Sequence, residues 1–92
     1  MNHPLTQKLM QRGTDFLGCG TAIMCGAMSW VSERHLVSAI SNAGGFGVIA
    51  CGAMTPELLD TEIAETKKRT DKPFGVNLIT MHPQLFDLIA IC

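Results

Sequence analysis

Three short apolar runs without polar alternation punctuate the chain: AIMC at residues 22–25, GVIA at 47–50 and FGVNL at 74–78. Such runs suit strands covered on both faces, as in a parallel sheet, whereas a sheet with one wet face alternates apolar and polar positions. Between the runs the apolar positions recur at helical spacing. Leu36, Val37, Ile40 and Ala43 form one stripe, with Ser32 as the expected cap, Glu33 in the first turn and Asn42-Ala43-Gly44-Gly45 as the stop. Residues 55–69 carry the best-marked helix, with Thr55 as N-cap, Pro56 at the first position, Glu57 in the first turn and Lys67-Lys68-Arg69 in the last. Leu58, Leu59 and Ile63 make its buried face. Its charges are read as a solvated surface, where Glu62 pairs only weakly with Thr66 or Lys67.

The expected strands start at 22, 47 and 74, with one helix in each gap. That is the βαβαβ rhythm of a parallel α/β sheet. Beyond Ile79 the chain runs through Thr80-Met81-His82-Pro83 into QLFDLIAIC, a helical start with Leu85, Leu88 and Ile89 on one side. Nothing caps that helix and no later residue returns to the sheet, so the pattern is expected of a piece of a larger protein. At the other end, residues 1–13 read as an extension or a short helix, and 14–18 as a small strand or a cover for one end of the sheet. The division is therefore an N-terminal extension, 1–21, and a partial domain, 22–92.

Polar and small residues inside this frame mark the candidate chemistry. Asn77 interrupts the third run, and an unmet amide within an apolar layer costs about 1–3 kcal/mol. Either a ligand meets it, since α/β proteins build their sites where parallel strands end, or it ties down the loop that follows. Gly26, Ala27 and Met28 follow the first run. They form either a simple tight turn or a surface over which a flat ligand approaches the backbone. CGAM occurs twice, at 25–28 and 51–54, as one solution repeated at the same end of the sheet.

Composition narrows the picture. With 47% hydrophobic and 16% charged residues and a net charge of −1, the chain is that of one soluble domain with no basic stripe for nucleic acid. No apolar run approaches the roughly 20 residues of a membrane span, and the amino terminus lacks the core of a secretory leader, so a cytoplasmic location is expected. Cys19, Cys25, Cys51 and Cys92 follow no zinc or iron–sulfur spacing and are read as reduced, with Cys25 and Cys51 acting as small hydrophobes. The histidines form no metal pattern, His35 is read as solvated, and no metal site is expected.

GAMSWVS (26–32), LVSAISNAGGFGVI (36–49), MTPE (54–57) and TDKPFGVNL (70–78) together resemble the start of the nitronate monooxygenases, also called 2-nitropropane dioxygenases. These are FMN-dependent (β/α)₈ TIM barrels related to flavin-dependent enoyl-acyl-carrier-protein reductases. The resemblance implies the first βαβαβ portion of such a barrel. It implies that Gly26, Ala27 and Met28 pack along the isoalloxazine ring through backbone contacts and that Asn77 hydrogen-bonds the FMN. It further implies oxidation of an alkyl nitronate to a carbonyl compound and nitrite with molecular oxygen. The family's histidine comes from a later segment. His82 lies on the expected catalytic face but matches no motif for that base.

Two other readings stand beside this one: an enoyl-acyl-carrier-protein reductase-like enzyme, and a non-catalytic interaction module whose exposed sheet edges invite partners. A barrel needs roughly 250 residues. The isolated chain is therefore expected to be poorly stable, to form homo-oligomers or aggregate, and to carry neither flavin nor activity.

Overall fold

A computed structural model describes residues 3–92; Met1 and Asn2, which open the expected extension, lie outside the described residues. The first element is a helix, α1 (Pro4–Leu17), started by a proline at its first turn and ended by Gly18 in the left-handed conformation, whose N–H donates to the Thr14 carbonyl at 2.8 Å. The small strand expected at 14–18 does not form. Thr14 turns its hydroxyl onto the Gln11 carbonyl and continues the helix instead. No side chain of α1 is buried. A Cβ built on Gly13 would stand 2.7 Å from that of Ala22, and one on Gly18 would stand 3.4 Å from Pro73, so the helix lies where the strands begin.

The sheet has two full strands, β1 (Gly47–Ala50) and β2 (Phe74–Asn77), parallel, with Gly47 opposite Phe74 and Ala50 opposite Asn77. The first expected strand, at 22–25, shrinks to one parallel bridge, Met24 to Phe46, made by Phe46 N–H to Ile23 O at 2.9 Å and Cys25 N–H to Phe46 O at 3.0 Å. Order and direction follow the expected βαβαβ, but cover on both faces does not. Ile23 is 60% and Met24 53% exposed, so this outer segment gains little from burial and pairs at a single rung. On the other side β2 is only half-buried and borders an open groove of about 490 Å³ lined by Ile63, Phe74, Val76 and Leu78. β1, between them, supplies the fully buried Ile49.

Helix α2 (Arg34–Asn42) covers β1 through Val37. Its cap is Glu33 rather than Ser32: the carboxylate accepts from the N–H groups of His35 at 2.9 Å and Leu36 at 3.4 Å. Slight burial opposes ionisation of Glu33, yet these amides and the exposed His35 ring outweigh it and hold the carboxyl below its ordinary range. Gly44 then takes a positive φ of 101°, the stop expected of it.

Helix α3 (Pro56–Arg69) begins as expected, with Leu58 N–H on the Thr55 hydroxyl at 3.2 Å, and buries Leu59 completely. Glu62 departs from expectation. It is 6% exposed and clasps Arg34, accepting from Nη2 at 2.8 Å, from Nε at 3.1 Å and from the Arg34 backbone N–H at 3.1 Å. The pair joins the starts of α2 and the middle of α3 across 28 residues of sequence. The final helix, α4 (Leu85–Ile91), buries Leu88 against the same core as Val37, Ile49 and Leu59, while Ile89, expected on that side, is half-exposed. No helix among the described residues is long and apolar enough to cross a membrane, and none of their His, Cys, Asp and Glu side chains form a group of three that could hold a metal.

Candidate functional site

The loop after residue 25 is held by a serine. Ser32, 2% exposed, accepts from the Met28 N–H at 2.9 Å and donates its own hydroxyl to the Gly26 carbonyl at 3.4 Å. Its backbone closes the same turn: Ser32 N–H and Val31 N–H both donate to the Met28 carbonyl, at 2.8 and 3.0 Å. The Ser32 carbonyl in turn accepts from Ala50 N–H at 3.0 Å, fastening the loop to the end of β1. Within this pinned loop Trp30, the chain's single tryptophan, sits at φ 66°, a left-handed conformation unfavourable for a bulky residue, and is 75% exposed.

The same end of the sheet receives the tip of β2. Asn77 stands opposite Ala50, and its carbonyl accepts two donors from Cys51, the N–H at 3.4 Å and the thiol at 2.9 Å. Gly26, Ala27, Met28 and Asn77 are thus gathered where the strands end, all exposed. The Asn77 side-chain amide bonds to no described residue, so it does not tie down the following loop. Nor do the N–H groups of Gly26 and Ala27 find a partner in the described chain. A Cβ built on Gly26 meets nothing within 4 Å, leaving the backbone open to a flat surface. These four residues therefore present N–H donors, one amide and apolar edges at this end.

The two CGAM loops share a position but not a task. In the second, Cys51 is fully buried and Met54 is 8% exposed, and the Met54 carbonyl accepts from His82 Nε2 at 3.0 Å. His82 Nδ1 accepts from the Gln84 N–H at 3.0 Å, which places the ring proton on Nε2. Both nitrogens are engaged, and His82 serves to bind the loop after β2 to the loop after β1.

All four cysteines are free. Burial pushes the Cys51 thiol up from its ordinary pKa, with Cys92 adding to the shift, so it stays protonated and donates to Asn77. Alkylation at pH 8 is expected to label the exposed Cys92 at least roughly tenfold faster than Cys51. Peptide mapping that finds Cys51 modified as fast as Cys92 in the folded chain would contradict this burial.

Residues 11–91 match the model of a family described as nitronate monooxygenase. Over 75 residues the chain is 40% identical to a nitronate monooxygenase of Pseudomonas aeruginosa, covering 82% of this chain and 21% of that protein. It is 43% identical over 65 residues to a Mycobacterium tuberculosis (3aS,4S,5R,7aS)-5-hydroxy-7a-methyl-1-oxo-octahydro-1H-indene-4-carboxyl-CoA dehydrogenase, covering 71% of this chain and 18% of the other. Among solved structures, FabK from Thermotoga maritima superposes with a TM-score of 0.85 at 44% identity, over 88% of this chain and 26% of FabK. The chain spans about a fifth of the length of the curated relatives it matches.

Proposed function

Since the chain belongs to the nitronate monooxygenase family, related to the flavin-dependent enoyl-acyl-carrier-protein reductases, we propose that it forms one wall of an FMN cradle in an enzyme oxidising alkyl nitronates. The observation that carries this reading is the cluster of unpartnered donors at one end of the parallel strands: the Gly26 and Ala27 N–H groups and the Asn77 amide. These residues fit the group. Open space before Gly26 admits a planar ring, the Ala27 and Met28 side chains offer it apolar edges, and the amide matches the ring's polar rim or the ribityl chain. Held by Gly26, Ala27, Met28 and Asn77, the flavin would supply the redox chemistry of a nitronate oxidation to carbonyl compound and nitrite with molecular oxygen as the oxidant.

The chain's own residues bind and orient. Ser32 fixes the height of the 26–28 backbone, the Ala50 N–H locks that loop to β1, and Cys51 holds the Asn77 backbone beside it. None of them moves a proton. The base and the phosphate-binding loops are assigned to parts of the barrel beyond this chain.

A second reading has its own support. Identities of 43% to the carboxyl-CoA dehydrogenase and 44% to FabK favour oxidoreduction of a thioester's carbon skeleton on the same flavin wall. One pair of assays on the whole protein separates the two. Nitrite release from an alkyl nitronate under oxygen supports the first, and NAD(P)H consumption with an enoyl thioester, without response to nitronate, supports the second. In either enzyme Asn77→Ala should weaken FMN binding about tenfold by removing one contact to the ring system. Unchanged affinity would take Asn77 out of the cradle. The 92-residue chain alone should bind no flavin through gel filtration.

A further inference from the structure

The flavin reading makes Asn77 a ligand but leaves open what aims its side chain, which stands exposed at the last position of a half-buried strand bordering a groove. The neighbouring backbone answers this. The Asn77 carbonyl is the acceptor for both donors of Cys51, and the thiol bond, at 2.9 Å, is the shorter. Cys51 itself is fully buried and packed in the core with Ile49, Met54 and Leu59, so its Sγ has no freedom to turn elsewhere. On its other edge β2 pairs with no strand among the described residues.

We infer that Cys51 is a positioning residue for the cofactor site: its thiol fixes the Asn77 peptide and so sets the direction in which the Asn77 amide meets the flavin. The inference rests on the proposed role of Asn77 and adds to it a residue with no contact to the flavin. The raised pKa agrees, because a buried thiol that stays protonated remains a donor through neutral pH. With the donor removed, the Cys51 N–H alone, at 3.4 Å, retains the carbonyl, and the tip of β2 gains freedom that must be lost again on binding.

The test is FMN titration of the apoprotein in the whole flavoprotein, using Cys51→Ala, Cys51→Ser, Asn77→Ala and the Cys51→Ala/Asn77→Ala double variant. Cys51→Ala should raise the FMN dissociation constant about fivefold, and Cys51→Ser, which restores a donor of nearly the same size, should return it to within about twofold of the parent. Because Cys51 acts through Asn77, the double variant should bind no more weakly than Asn77→Ala. Should Cys51→Ala not fold, Cys51→Thr against Cys51→Val makes the same comparison at equal shape, with tighter binding expected for threonine. Additive losses in the double variant, equal binding by the serine and alanine proteins, or equal binding by the threonine and valine proteins would overturn the inference. An unchanged dissociation constant in Asn77→Ala would instead bring down the reading of Asn77 beneath it, and the inference with it.

Discussion

Gly47→Ala is expected to lower the stability of the chain by about 3 kcal/mol, enough to leave a marginal 92-residue fold largely unfolded. Ordinarily the exchange would stabilise a strand by about 0.5–1 kcal/mol, because alanine loses less backbone entropy than glycine. Here sterics reverse the sign. A Cβ on Gly47 would lie 2.5 Å from the Val37 carbonyl oxygen and 2.9 Å from both its Cα and its Cγ1. Two of the three are backbone atoms of a buried turn of α2, so relief requires the helix to lift off β1 and give up the Val37 contact with the core. Urea titration followed by circular dichroism reads the result. A midpoint equal to that of the parent would mean that α2 does not pack on β1 as closely as described.

Ser41→Ala is expected to cost about 2 kcal/mol, although alanine is the better helix former. Ser41 is 1% exposed, and its hydroxyl donates to the Pro73 carbonyl at 2.9 Å while accepting from the Gly47 N–H at 3.1 Å. One side chain on α2 thus ties the entry of β1 to the entry of β2. Removing it takes the shared partner from the buried Gly47 N–H and from the Pro73 carbonyl. Ser38→Ala is the control: that hydroxyl bonds only the His35 carbonyl of its own helix, at 3.1 Å, and its loss should change stability by less than about 0.5 kcal/mol. Equal effects at Ser38 and Ser41 would remove the bridging role. Ser41 and Gly47 share a hydrogen bond, so their substitutions should not add.

Much of this architecture was legible from spacing alone. The cap and charges of α3, the helical stripe of α2 and the positions of β1 and β2 follow from local rules that act within a turn or a few residues. The gathering of Gly26, Ala27, Met28 and Asn77 at one sheet end was legible too, because parallel strands joined by helices put their post-strand loops on one side. What misled was any residue with two uses of equal local merit. Ser32 reads as a helix cap, and so does Glu33; burial of Ser32 inside the 26–32 turn gave the cap to its neighbour. Glu62 reads as one more surface charge, because its partner Arg34 lies on another helix.

The order of the elements, the direction of the strands and the residue types where the strands end were determined by the sequence itself, since periodicity, caps and turn residues are short-range properties. Only the tertiary structure decided which of four cysteines donates to Asn77, which of several serines bridges two strands, and that His82 turns its Nε2 to the Met54 carbonyl of the loop after β1. Those choices depend on distances between groups some 26 to 32 residues apart, and such distances exist only after the helices have packed on the sheet.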